Sequence, residues 1–496
     1  MVESKLFGVI LIGATSVDLQ IVNRKSGNKI EKVHHDTILN DELYDVGVVA
    51  QDQIERVIVQ LQGFQQLLRD YAVTDIRIWG AYSLASASNA VYVVAQIKQA
   101  TGLKIEWLSA SQEAYYGQLS MRYGESDLDL SVNNRLFLVS LSSGRLSLGY
   151  YETGDLKWTR SINLGPMRLA SDLDTLVDEF IDIQGLTREF IHSKLADYTT
   201  LLPTFPPANL LVVSGSLALG QLLKTPIVSR DEFFKTNAHL LRAPIQKWSE
   251  KLNVTANQLP AVMPELLLLE ELVAITQVDQ VGVSEQHMLP GLVMDALGQL
   301  PGDEILAQAQ ELSQRFGVEP KHQQAVRHFS EQLFDRLKKV HGLGKRERIL
   351  LQVAALVHDV GSYLNTYHHY EYSETVILAA EMEGLTPVEN RMVAMISRYH
   401  SHAVPGDGLQ TVKQLTESEW IVVVKLTAIL RLADALDDSR LQKIEKIAVS
   451  TKAYQIVVTG YSLDKLYLEQ STFEAKANLF EDVFGRLIIL KRKGHN

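Results

Sequence analysis

The sequence predicts an α/β protein of two related N-terminal domains, followed by a mostly helical region and a small α+β tail. Three observations predict it. A strand–turn–strand pattern at residues 7–23 recurs at residues 136–150. After Pro301-Gly302, the apolar positions Val326, Phe329, Leu333, Leu337 and Val340 follow helical spacing. From Ile447 the chain turns strand-like again in IAVS, QIVVTG, LYLE and LIILKRK. The expected boundaries are 1–125, 126–302, 303–440 and 441–496.

In order along the chain, Val9 to Ile12 is a short buried run that Gly13 punctuates. Val17, Leu19 and Ile21 then alternate as in a half-buried strand. Helical patterns cover 52–71 and 89–101, with a strand from Ile76 to Trp79 between them. Leu136 to Val139 and Leu146 to Tyr150 repeat the opening theme, and this echo predicts the second domain. Pro203, Pro206 and Pro207 mark a loop before the buried strand Leu210 to Val213. Ile349 to Val357, Thr375 to Met382, Asn390 to Arg398 and Trp420 to Leu436 read as helices.

The chain has 496 residues, 46% hydrophobic and 22% charged, which is enough to bury several cores and excludes a disordered chain. It has no cysteine, so disulfides, thiol catalysis and cysteine–metal sites are excluded. The start, MVESKLFGVILIG, lacks the basic flank and small-residue cleavage site of a secretion signal. No apolar run approaches the ~20 residues that span a bilayer. The expectation is a soluble, cytoplasmic protein without a membrane partner. Net charge is −11, and the basic clusters at Lys338–Lys339, Lys345–Arg348 and Lys491–Lys493 are small and scattered. Duplex nucleic acid is therefore not an expected partner.

A Gly-rich turn between two strands can present backbone N–H groups to a phosphate. Carboxylates beside it can hold Mg²⁺, which prefers oxygen ligands. Leu11-Ile12-Gly13-Ala14-Thr15-Ser16 is one such turn, Ser140 to Ser147 a second, and Ser214-Gly215-Ser216 a third. Ser109 to Ala114 reads SASQEA, and Ser161, Leu164, Gly165, Arg168 and Leu169 form a further spaced set. Alone, Glu113 reads more often as an exposed helix-start glutamate favoured by the helix dipole.

Taken in this order, the segments resemble the exopolyphosphatase/guanosine pentaphosphate phosphohydrolase (Ppx/GppA) family in its longer form. The resemblance implies two actin-like (ribonuclease H-like) domains facing across a cleft. It implies phosphate binding by Gly13, Thr15, Ser16, Ser143, Gly144, Arg145, Ser214, Gly215 and Ser216, with Glu113 as catalytic base. This sequence departs from the family at charged positions. The family's D-I-G-S-N-S begins here with Leu11, and its D-I-G-G-G-S-T-E has Ser140 and Ser147 in place of both acids. The arginine of T-S-A-V-R is Ala85, and the glutamate before Glu113 is Gln112. Mg²⁺ is the implied cofactor, but most of its family ligands are missing. Arg145 could supply charge to an anion in place of a metal, or could be a surface arginine in a hairpin turn.

In the helical region, His358-Asp359 ends an apolar helix, His322 opens another, and Asp434 sits in ILRLADALD. This order resembles the metal ligands of HD-type phosphohydrolases, and imidazole with carboxylate suits a divalent metal. The implied site is a single divalent metal at His322, His358, Asp359 and Asp434. The alternative is a set of polar packing residues that bond one another without metal. The family's H-H-x-H-S segment keeps His369 but has Tyr370 and Tyr372, so a second ion is not expected; Arg398-Tyr399-His400 matches its R-Y-H segment.

Three functions follow. The first is an exopolyphosphatase-like protein that removes terminal phosphate from polyphosphate or a guanosine pentaphosphate, with Glu113 as base and weak activity. The second is a degenerate paralogue that binds polyphosphate or an alarmone as a regulator. The third is a metal-dependent phosphohydrolase acting through the HD-like region. The resemblance also implies a homodimer.

Overall fold

The protein is described by a computed structural model covering residues 5–494, apart from 38–42, 44–46, 125–127, 129, 131–132, 178–181, 201–203, 253, 255, 257, 286, 402–413 and 453. Pro203, one of the three loop prolines named above, lies outside the described residues. The chain divides into two compact units, Met1–Pro301 and Gly302–Asn496. No described helix is long and apolar enough to cross a membrane.

The first unit contains two sheets. β1 (Leu6–Ile12) is buried from Phe7 onward, and its near-continuous apolar run fits a strand covered on both faces. It pairs antiparallel with β2 (Ser16–Asn23) and parallel with β4 (Asp75–Gly80). β3 (Lys29–Asp36) and β5 (Glu106–Trp107) complete the order β3-β2-β1-β4-β5. In the second sheet, β6 (Arg135–Leu141) pairs antiparallel with β7 (Leu146–Glu152) and parallel with β9 (Leu210–Ser214). With β8 (Asp155–Ile162), β10 (Ile227–Ser229) and β11 (Gln280–Ser284), the order is β10-β11-β9-β6-β7-β8. Read from β8, this sheet repeats the pattern of the first: three antiparallel strands, then a parallel one. The echo seen in the sequence is thus a repeat of topology.

Helices cover these sheets. Gln51–Asp70 buries Ile54, Val57, Leu61, Phe64 and Leu68, one stripe at alternating spacings of three and four. Ala110–Tyr123 is different, because every residue from Ala110 to Met121 is buried. Its start is fixed by a capping box in which Ser109 accepts from the Gln112 amide and Gln112 accepts from the Ser109 amide. Gln112, where the family has the glutamate that precedes its catalytic one, is therefore a capping residue. Leu259–Thr276 is likewise mostly buried.

The second unit is a set of helices, chiefly Asp303–Arg315, Pro320–Arg336, Lys345–Val357, His369–Ala380, Pro387–Tyr399 and Glu417–Ala435. They are followed by β12 (Lys446–Thr451), β13 (Gln455–Tyr461), the helix Tyr467–Phe484 and β14 (Leu487–Lys493). These last strands form one sheet in the order β12-β13-β14. The basic run Lys491–Lys493 belongs to this sheet as part of β14.

Candidate functional site

All three turns of the first unit border one cavity of about 530 Å³. Gly13, Thr15 and Ser16 line it from the first turn, Ser142 and Ser143 from the second, and Gly215 and Ser216 from the third. Glu113 reaches it from the first turn of Ala110–Tyr123. A smaller pocket of about 50 Å³ shares Glu113, Ser142 and Gly215 with it and adds Ser140, Arg145, Ser147 and Ser214. Gly144 lines neither. It lies against Gly165, where an added Cβ would sit 2.5 Å from the Gly144 carbonyl carbon and 2.3 Å from the Arg145 amide. The Met167 and Arg168 amides donate to Ser143 O at 3.0 and 3.2 Å. The Leu164–Leu169 segment therefore props the second turn. Gly215 has φ +77, and an added Cβ there would lie 2.0 Å from Leu141 O, so the third turn can only be glycine at this point.

Glu113 is 6% exposed. Burial pushes its carboxyl up to about 7, against the lowering effects of the Tyr82 amide, Arg145 and Ser142. The Tyr82 amide donates to Oε1 at 2.6 Å. Tyr82 opens the short helix Tyr82–Ala85, which is the segment whose family arginine is here Ala85. Arg145 donates to Asn163 Oδ1 at 3.0 Å, while its buried Nε has no hydrogen-bond partner. A carboxylate poised near neutrality beside a guanidinium with a spare donor can accept a proton from water and hold an anion.

The residues at the family's carboxylate positions do not fit Mg²⁺. Leu11 is apolar and 4% exposed. The Ser147 hydroxyl is buried and takes the Gln118 amide at 2.8 Å. Ser140 is packed so closely on Gly117 that a Cβ there would lie 2.2 Å from its Oγ. Leu11, Ser140 and Ser147 therefore offer a divalent ion no carboxylate oxygen.

Other residues in the cavity wall carry no sequence signal of their own. Asp18, Lys32, His34 and His287 line it. Ser16 Oγ donates to Asp18 Oδ2 at 2.7 Å, and His34 Nδ1 lies 2.7 Å from Asp18 Oδ1. Hydrogen bonds to Asp18 and Asp36 outweigh burial and raise His34 above the usual imidazole value. Glu265, fully buried, takes the third turn's donors: the Ser216 hydroxyl, the Leu217 amide at 2.9 Å and the Ala218 amide at 3.2 Å. Burial pushes Glu265 up to about 7. The Ser216 hydroxyl is thus committed inside the protein.

The second unit holds a histidine–aspartate cluster. His322, His358, Asp359 and Asp434 come together, joined by His369, His400 and Asp437. His358 Nδ1 donates to Ala355 O at 2.9 Å, His369 Nδ1 to Thr366 O at 3.1 Å and His400 Nδ1 to Ser397 O. His322 Nδ1 lies 2.9 Å from Asp437 Oδ2. With Nδ1 serving a carbonyl, a neutral imidazole has its lone pair on Nε2, and these Nε2 atoms point into the cluster. Those of His358, His369 and His400 face Asp359 Oδ1 at 3.7, 3.7 and 3.6 Å. His358 Nε2 is also 3.9 Å from Asp434 Oδ1, and His322 Nε2 is 3.2 Å from it. Nε2 of His358 is buried without a hydrogen-bond partner.

His358 thus stands within ion-pair range of both Asp359 and Asp434, but beyond hydrogen-bond length of either. Lone pairs facing carboxylates repel unless a cation lies between them. The ligand atoms of His322, His358 and Asp359 are mutually within 4.8 Å, as are those of Asp359, His369 and His400, with Asp359 common to both sets. Burial drives His358 down to about 4, so it is neutral at pH 7. Burial would lower His322, but Asp434 and Asp437 raise it to about 9. The outer carboxylate oxygens hold protein cations: Arg440 Nη2 on Asp359 Oδ2 at 2.6 Å and Lys476 Nζ on Asp434 Oδ2 at 2.5 Å. Sequence spacing pointed to His369 and His400 only through a family segment; Asp437, Arg440 and Lys476 had no such signal.

Residues 21–281 match the profile of the Ppx/GppA phosphatase family, and residues 306–479 match that of Ppx/GppA phosphatase, domain III. The chain is 22% identical to a guanosine-5'-triphosphate,3'-diphosphate pyrophosphatase of Vibrio vulnificus, covering 99% of both chains. A protein of the same name from Aeromonas hydrophila is 20% identical over 95% of this chain and 96% of its own. Among solved structures, an exopolyphosphatase from Cytophaga hutchinsonii is similar with a TM-score of 0.51 and 15% identity, covering 60% of this chain and 99% of that one. That likeness concerns the actin-like fold.

Proposed function

The chain belongs to the Ppx/GppA phosphatase family, and from that premise we propose a phosphohydrolase that releases terminal phosphate from inorganic polyphosphate or a guanosine pentaphosphate. The observation that carries this reading is Glu113, a buried carboxylate held near pKa 7 in the wall of a cavity bordered by three glycine turns. Glu113 takes a proton from the attacking water as the terminal phosphorus–oxygen bond breaks, and the shortened chain leaves. Arg145 supplies charge at the phosphate. With Leu11, Ser140 and Ser147 at the family's acid positions, no step here is assigned to a metal, and turnover is expected to be weak. Phosphate release from polyphosphate and from guanosine pentaphosphate by the parent and Glu113→Gln proteins tests this. Equal release by both would refute it, and tight binding without release would favour the regulator. A cytoplasmic homodimer is part of the proposal on the family resemblance.

A second reading is favoured by the buried Nε2 atom of His358, which has no hydrogen-bond partner. In it, the helical cluster is an HD-like metal centre: His322, His358, Asp359 and Asp434 hold one divalent ion, and Asp359, His369 and His400 a second. Backbone carbonyls on Nδ1 orient such ligands in metal sites generally. A bound ion would lower the pKa of water and supply a nucleophile for phosphoester or anhydride cleavage. Metal analysis of the purified parent and His358→Ala proteins tests this reading.

A further inference from the structure

The two cations at the helical cluster are not equivalent. Lys476 is 16% exposed and closed over Asp434. Arg440 is 51% exposed, and its only described side-chain partner is Asp359. One of its five N–H donors is used there, which leaves most of the fork for another acceptor.

The backbone that presents Arg440 is unusual. Arg440 has φ 57 and Gln442 φ 48, two left-handed non-glycine residues within three. Such residues persist where surrounding contacts impose them. Here Asp437 imposes them. Its carbonyl takes the Arg440 amide at 2.8 Å, Oδ1 takes the Gln442 amide at 2.8 Å and Oδ2 takes Gln442 Nε2 at 3.0 Å. Asp437 Oδ2 is also the partner of His322 Nδ1 at 2.9 Å. One buried carboxylate therefore orients a cluster histidine and fixes the strained turn that carries the guanidinium.

We propose that Arg440 is the phosphate-holding residue of the helical cluster, resting on Asp359 and turning its free N–H groups to the oxygens of a phosphoester or phosphoanhydride. Guanidinium suits this role because its planar fork matches phosphate in a bidentate way. The proposal rests on the second reading above and adds the residue that recognises the substrate anion.

The test uses the full chain, Mn²⁺ as the metal and inorganic phosphate as the ligand. Arg440→Gly removes the fork while suiting the left-handed backbone, so the fold is retained; Arg440→Lys keeps a charge without the fork. Bound Mn²⁺ and phosphate affinity are measured for each, with His358→Ala alongside. The expected result is Mn²⁺ within twofold of the parent in both Arg440 variants. Phosphate affinity should fall at least tenfold in Arg440→Gly and recover partly in Arg440→Lys. Unchanged phosphate affinity in Arg440→Gly with Mn²⁺ retained would reduce Arg440 to a counter-ion of Asp359 and overturn the proposal, while Mn²⁺ loss in His358→Ala would leave the metal reading standing. A parent that takes up neither Mn²⁺ nor phosphate overturns both.

Discussion

Leu11 on β1 and Asp18 on β2 are directly paired across the first sheet. The family acid missing at residue 11 thus has a carboxylate one rung away, at a position where paired Cβ atoms lie ~5 Å apart. That carboxylate is committed to Ser16 and His34.

Leu11→Asp should create a two-carboxylate pair that only a divalent ion relieves. In chelator, the variant should be less stable by about 2–4 kcal/mol, since a buried leucine is lost and a charge is introduced beside Asp18. Adding Mg²⁺ should restore much of this loss and leave the parent's melting temperature unmoved. A Mg²⁺ response equal in both proteins would show that the first turn cannot take the ion.

Glu113 couples stability to pH. Folding raises it from 4.5 to about 7, so the folded state holds the proton more tightly than the unfolded chain. Its favourable contribution is complete at pH values below the unfolded value and falls away as pH rises through 4.5 to about 7. Glu113→Gln mimics the protonated form. It should gain up to about 3 kcal/mol over the parent at pH 8 and almost nothing at pH 4. The same substitution should cut any phosphate release at the cleft by ~10²–10⁴. Denaturant midpoints at the two pH values and a phosphate assay check both statements.

Glu265 is the internal acceptor of the third turn. Replacing it with alanine strands three donors, of which the Ala218 amide is buried, and should cost about 2–4 kcal/mol. Glutamine keeps one acceptor oxygen and should cost roughly half as much. Urea unfolding of the two variants decides. An alanine variant as stable as the glutamine one would mean that water replaces the carboxylate.

For the helical cluster, Mn²⁺ at 100 times its dissociation constant should stabilise the parent by about 2.7 kcal/mol and His358→Ala by far less. In chelator the same substitution should cost its lost packing and the Nδ1 bond to Ala355 O, since His358 Nε2 makes no hydrogen bond. Melting curves with and without the metal check this. Equal Mn²⁺ shifts in the two proteins would remove His358 from the metal site.

The parts of the fold that were legible in the sequence are those with apolar periodicity. β1, β2, β6, β7 and the long helices announce themselves because burial dictates their spacing. β3 did not: KIEKVHHD is an edge strand, mostly exposed, and nothing apolar repeats in it. The turns were legible through glycine, and Glu113 only through the family segment around it; alone it read as an exposed helix start, whereas it is buried. Glu265 was not legible, since its partners Ser216, Leu217 and Ala218 lie almost fifty residues earlier and only the packing of Leu259–Thr276 brings them together. Tyr370 and Tyr372 leave His369 alone in its segment, and the imidazole that meets it comes from His400, at the end of another helix.

Lys476 changes how this protein can be cut. Residues beyond about 440 look in sequence like an appendage, and a truncation there would be a natural choice for isolating the helices. Yet Tyr467–Phe484 delivers Lys476 to Asp434, and Glu469 on the same helix takes Ser439 and Lys443. A shortened chain would leave Asp434 without its cation beside His322 and His358. Loss of function in such a fragment would then report a disturbed charge balance in what remains, and could not be assigned to the piece removed.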